Sequence, residues 1–257
     1  KFVNKINSDL PEIKIALIGK YTELKDAYLS VVEAVKAASY FHDLKADLIW
    51  VDSDKIESVG KGSKEEWDKL KQAKGVIVMG GFGKRGIEGK IMVAKYAREN
   101  NVPYLGICLG MQIAAIEFAR NVLGLKDAHS TEFNEKTSNP VIYFIPGQES
   151  IKRKGGTMRL GDYECVLDKK SKSFSVYKSD KITERHRHRY EFNDSYKESF
   201  EKNGMHVAGV NPQSGLCEIL ENKNHPWFVG VQFHPEFKSR PIKPHPLFRD
   251  FVKASKK

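Results

Sequence analysis

The chain has 257 residues, 40% of them hydrophobic and 11% aromatic, with a formal net charge of +10. This composition excludes a disordered chain and supplies enough apolar material for a substantial core. No apolar run is long enough to span a bilayer and the opening KFVNKINSDLPEIK lacks the apolar centre of a secretory signal, so a cytoplasmic protein with no membrane partner is expected.

Residues 1–11 are polar and proline-punctuated and start with Lys1 rather than Met, as expected of a linker remnant after a preceding domain; residues 12–257 read as one domain. IKIALIG (13–19) has the pattern of a buried strand, and DAYLSVVEAVKAASYF (26–41) spaces its apolar residues three and four apart, as an amphipathic helix does. KADLIWV, a charged helix over 64–72 and GVIVMGG (75–81) repeat the unit. A helix over 88–100, the strand VPYLGI (102–107) and the helical run MQIAAIEFARNVL follow. The alternation predicts an α/β fold: a doubly wound, mostly parallel sheet with helices on both faces. From about 141 the pattern changes to short strands, VIYFI, GTMRLGDYECVL, SFSVYK, HVAGV, LCEILE and WFVGVQF, expected to form a small antiparallel annex.

In such sheets ligands bind past the carboxyl ends of the strands. Two glycine-rich segments fall there, GGFGKRG (80–86) and the CLG of GICLGMQ. Neither GGFGKRG nor VGKGSK (59–64) has phosphate-loop spacing, so nucleotide binding by these loops is not expected. The densest basic cluster, TERHRHRYEFN (183–193), alternates like a strand, with Arg185, Arg187 and Arg189 on one face and His186 and His188 on the other. Without a recognisable binding module around it, it does not indicate nucleic acid. The three cysteines, Cys108, Cys165 and Cys217, form no CxxC pair and no even-numbered framework, so neither disulfides nor a metal site is expected.

Cys108 sits between Gly106 and Gly110 where a strand should turn into a helix. A sharp turn there holds a side chain clear of the backbone, small neighbours relieve crowding, and the helix dipole favours a thiolate. A cysteine nucleophile needs a base, and the base an orienting carboxylate. VGVQFHPEF supplies both: His234 ends an apolar run and Glu236 lies two residues on. Each piece alone has an ordinary explanation, a buried thiol and a surface turn; together they indicate catalysis.

GGFG, GICLGMQ and FHPEF, in this order, resemble the Cys-His-Glu triad motifs of class I glutamine amidotransferases. STEFN, GGTMRLG, ERHRHRYEFN, NHPWFVGVQFHPEF and HPLFRDFV are similar to the carboxyl-terminal glutaminase domains of CTP synthases, over about residues 12–254. The resemblance implies hydrolysis of the L-glutamine side-chain amide, with ammonia passed to a synthetase domain of the same polypeptide that converts UTP to CTP with ATP. It implies Cys108 as nucleophile, His234 as acid and base, and Glu236 as orienting carboxylate. The amides of Gly81 and Leu109 would form the oxyanion hole, and Gly110 and Met111 would complete the glutamine-binding stretch. Gln112 and Glu132 would meet the amino-acid end of the substrate, Arg189 its carboxylate, and Phe82 would wall the pocket. Arg185, Arg187, His186 and His188 read as fold or domain-contact residues, whereas Lys84 and the charged loop 146–156 have no assigned role. No cofactor or metal is implied for this domain; ATP, UTP, Mg and activating GTP belong to the full-length enzyme, a homotetramer by resemblance. Two alternatives come from other classes: a sensor or chaperone-like relative of the fold, against which His234 and Glu236 argue, and a basic nucleic-acid-binding module, which a salt-dependent binding assay would discriminate and which no aromatic platform in the sequence supports.

Overall fold

The computed structural model describes residues 2–20, 25–81, 83–144 and 158–256. After α1 (Phe2–Ile6), the first half alternates: β1 (Glu12–Gly19), α2 (Leu29–Phe41), β2 (Lys45–Asp52), α3 (Ser53–Glu57), α4 (Lys61–Leu70), β3 (Gly75–Val78), α5 (Ile87–Glu99), β4 (Tyr104–Ile107) and α6 (Leu109–Asn121). The second half carries β5 (His129–Ser130), β6 (Pro140–Phe144), β7 (Arg159–Leu167), α7 (Lys172–Tyr177), β8 (Lys181–His188), β9 (Tyr190–Phe192), α8 (Lys197–Lys202), β10 (Met205–Val210), β11 (Cys217–Asn222), β12 (Phe228–Val231) and α9 (Pro246–Ser255).

A nine-stranded sheet in the order β2-β1-β3-β4-β12-β11-β10-β7-β8 organises the molecule. The joins from β2 to β12 are parallel and those from β12 to β8 antiparallel. The antiparallel strands thus extend the main sheet, and the separate piece is the three-stranded β5-β6-β9. Alternation along β1 sends Ile13, Ile15 and Leu17 into the core under α2 and α9, and Ala16 and Ile18 into the core shared with α5 and α6. Helices therefore cover both faces, as the strand–helix alternation predicts.

Three local readings differ from the sequence expectation. WFVGVQF, expected in the antiparallel annex, supplies β12, which pairs in parallel with β4 because its wholly apolar run is buried within the main sheet. SFSVYK is not a strand but the short helix α7: the Ser171 hydroxyl accepts from Phe174 N–H, and Glu221 accepts from the N–H groups of Lys172 and Ser173. Three capped donors outweigh the β-propensity of so short a run. The charged helix starts earlier than expected, at Lys61, and α3 precedes it with Asp52 as its cap.

The antiparallel half does not lie flat. β8 is five strands from β4 in the order, about 24 Å at the usual strand spacing. Yet the Arg187 carbonyl of β8 lies 4.0 Å from the sulfur of Cys108, which directly follows β4. The sheet therefore curls until β8 faces the carboxyl ends of β4 and β12.

Candidate active site

Cys108 lies between β4 and α6 with φ 53° and ψ −104°, its N–H donating to Val231 O at 2.7 Å. Few non-glycine residues hold such a conformation, which costs about 1–3 kcal/mol. The flanking glycines are steric necessities. A Cβ on Gly110 would lie 2.1 Å from Val78 O, and one on Gly106 2.6 Å from the Gly110 carbonyl carbon. Leu109 opens α6, so its N–H is among the donors that a helix start leaves without an intrahelical acceptor.

His234 ends the run after β12, the strand paired in parallel with β4, so the two sheet neighbours deliver thiol and imidazole to one place. A Cβ on Gly80 would touch both, 3.3 Å from His234 Cε1 and 3.6 Å from Cys108 Cβ. Pro235 starts a 3-10 turn (Pro235–Lys238) that folds Glu236 back, and His234 Nδ1 and Glu236 Oε1 are 2.7 Å apart. Phe237 stacks on the imidazole at 5.1 Å, and His234 N–H donates to Arg185 O. Burial opposes charging of the ring, but the hydrogen bonds and charges of Cys108 and Glu236 prevail and raise its pKa to about 10.

A cavity of about 390 Å³ opens beside the thiol, its wall including Lys20, Tyr28, Gly81, Arg187, His234 and Phe237. Gln112, Glu132 and Arg189 are not in that wall. Gln112 is buried, with its amide on Tyr190 O. Gly83 N–H donates to Glu132; burial pushes this carboxyl above its ordinary range, against the pull of Gly83, Lys20 and Arg189. Glu132 and Arg189 also both act electrostatically on Tyr190, so a carboxyl and a guanidinium lie near the β8–β9 join. Met111 is turned into the core against Gly230, and Gly110 serves the close packing of α6 on β3. Phe82 and the 146–156 loop lie outside the described residues.

His186 and His188 are buried, as the alternation of β8 predicts. Arg159 donates to Glu191 at 2.9 Å and to Glu218 at 2.7 Å, and His188 sits 2.6 Å from Glu191. Burial, then His188 and Arg159, push His186 down to about 2. Arg187 is more than a fold residue: it lines the cavity. Sequence reasoning also missed Lys20, whose ammonium donates to Gly83 O, and Lys90, fully buried under the glycine loop with its ammonium on Met79 O at 3.2 Å. Lys90 interrupts the apolar stripe of Ile87, Ile91 and Ala94, which is the signal that could have flagged it. Among the described residues, no group of His, Cys, Asp and Glu could hold a metal ion, and no helix is long and apolar enough to cross a membrane.

The family model "Glutamine amidotransferase class-I" matches residues 23–254. A CTP synthase of Caldanaerobacter subterraneus is 53% identical over 254 residues, covering 99% of this chain and 46% of that protein. A CTP synthase of Bacillus subtilis is 49% identical, covering 99% and 47%. This chain thus spans about half the length of the curated relatives it matches. The solved glutaminase domain of Trypanosoma brucei CTPS, with bound acivicin, superposes with a TM-score of 0.86 at 38% identity, over 95% of this chain and 94% of that one.

Proposed function

Since the chain belongs to the class I glutamine amidotransferase family, we propose that it hydrolyses the side-chain amide of L-glutamine through Cys108, His234 and Glu236. The observation that carries this reading is the meeting of a strained, glycine-flanked thiol with a histidine whose far nitrogen is held by a carboxylate. With Nδ1–H given to Glu236, Nε2 is the basic nitrogen and is left for the thiol.

His234 takes the thiol proton, and Cys108 Sγ attacks the amide carbonyl carbon. The negative charge moves to the carbonyl oxygen, where the N–H groups of Gly81 and Leu109 stabilise it. The carbon–nitrogen bond breaks as His234 returns its proton to the departing nitrogen, releasing ammonia and leaving a glutamyl thioester. Water, giving its proton to His234, then attacks the thioester; Sγ leaves, is reprotonated, and glutamate departs. Arg189 binds the substrate carboxylate with its guanidinium fork, while Glu132 and Gln112 take the ammonium end. The ammonia serves amination of UTP to CTP, with ATP and Mg, by a synthetase domain of the longer polypeptide; similarity to full-length CTP synthases supports this part.

The test is release of glutamate and ammonia from glutamine by this chain against a Cys108→Ala control, with a diazo-ketone glutamine analogue as covalent probe. Peptide mass mapping is expected to place the label on Cys108 and not on Cys165 or Cys217. Even labelling of the three thiols, or full turnover by Cys108→Ala, would reject the assignment.

A further inference from the structure

Gln232, two residues before His234, is fully buried and has no part in the steps above. Its main-chain N–H donates to Glu218 O at 2.9 Å. Its side chain lies between two residues of the site, with Oε1 3.2 Å from Gln112 Nε2 and Nε2 3.8 Å from Cys108 Sγ. Gln112 Nε2 is in turn 2.9 Å from Tyr190 O.

The direction of this chain of amides is fixed from its far end. A main-chain carbonyl can only accept, so Gln112 must turn its NH2 towards Tyr190 O. The other N–H of that group then points at Gln232, which must present its oxygen. The NH2 of Gln232 is thereby left facing the sulfur. Reversing either amide would set two acceptors or two donors against each other in a buried place, which is costly.

We infer that Gln232 is a further residue of the hydrolytic site: its side-chain N–H donates to Cys108 Sγ, favours the thiolate, and ties the nucleophile through Gln112 to the Arg189–Tyr190 segment. This rests on the reading of Cys108 as nucleophile. As the thiol proton passes to His234, charge collects on sulfur and the N–H···S bond strengthens; when the carbon–sulfur bond forms, that charge leaves and the bond slackens. The same amide fixes Gln112, whose own oxygen is then the end free of the relay.

Two substitutions separate the arms. Gln232→Glu keeps an oxygen for Gln112 but removes the donor to sulfur; Gln232→Met removes both and adds no charge. The pH dependence of Cys108 alkylation by iodoacetamide, followed by peptide mass mapping, is measured beside steady-state glutamine hydrolysis. The midpoint of alkylation is expected to rise by about 1–2 pH units in both variants, the equivalent of one hydrogen bond to a charged group. KM is expected to stay within about threefold in Gln232→Glu and to rise about tenfold in Gln232→Met, because only the second releases Gln112. Alkylation slowed equally at every pH, with an unmoved midpoint, would overturn the inference and leave Gln232 a packing residue. If Cys108→Ala keeps full turnover, the nucleophile assignment itself falls, whatever the alkylation profile shows.

Discussion

Cys108 holds a backbone conformation that glycine adopts without strain. Two variants that lack the thiol should therefore differ in stability. Cys108→Gly is expected to melt above Cys108→Ala, by about 1 kcal/mol in unfolding free energy, because alanine keeps the strained φ and glycine does not; the extra freedom of glycine in the unfolded chain offsets part of the gain. Thermal or urea denaturation of the pair checks this, and equal stability would mean that the turn relaxes around the Cβ. Arg189→Lys keeps the charge and loses the fork. Apparent glutamine affinity should drop by about 1–3 kcal/mol while alkylation of Cys108 by a small reagent survives. An unchanged KM would make Arg189 a residue of the fold.

Among the elements, the buried meeting of β7, β8, β9 and β11 sets one guanidinium, Arg159, between two carboxylates. One cation cannot hold both acids ionised. Burial opposes the charge on Glu191, but His188 and Arg159 keep its carboxyl below the ordinary range. Burial raises Glu218 to about 7, with Arg159 pulling against it. A folded-state pKa raised from 4.5 means that the contribution of Glu218 is fully present below about pH 4.5 and is lost as pH rises through 7. Glu218→Gln, a neutral copy of the protonated acid, should abolish that loss. It should be the more stable protein at pH 8, on the order of 1–3 kcal/mol, and gain nothing at pH 4. Parallel pH profiles in denaturant would show that Glu218 stays charged in the folded chain.

Much of this was legible in the sequence. Strand–helix alternation located β1 to β4, helped by the continuous apolar runs of β3 and β4, whereas β12, the fifth parallel strand, was read with the antiparallel ones. Glycines at 106 and 110 marked the tight turn at Cys108, where no Cβ fits beside it, and the HPE string marked the His234–Glu236 pair. α7 was not legible, because two of its three capped donors are held by Glu221, which is distant in sequence. Arg187 and Gln232 escaped for a related reason. Arg187 reaches the sulfur only because the antiparallel strands curl, and Gln232 because β12 pairs in parallel with β4 with Val231 opposite Ile107; no local pattern encodes either pairing.

At the scale of the molecule, the chain covers 46% of its first matched relative. With no phosphate-loop motif of its own, it should make no CTP from UTP, ATP and free ammonia. Its glutamine hydrolysis should be slow until a separately expressed synthetase portion is added with UTP, ATP and GTP, the outcome expected where closure of the site draws on contacts with a partner domain. Radiolabelled UTP followed by chromatography reads the first expectation and glutamate release the second. CTP made by this chain alone would break the division of labour. A hydrolysis rate unaffected by the added portion would mean that the site is already preorganised.

The curl of the sheet has a consequence beyond placing Arg187. A terminal strand ordinarily offers a row of unpaired main-chain groups on which another chain can add a strand. On β8 three carbonyls of that row are met from within the molecule: Lys238 donates to Thr183 O, His234 N–H to Arg185 O, and the thiol of Cys108 reaches Arg187 O. The segment that carries the proposed base thus also acts as a guard rail along an otherwise sticky border. Changes that loosen the HPEFK turn should cost more than turnover, because they uncover a ready template for self-association.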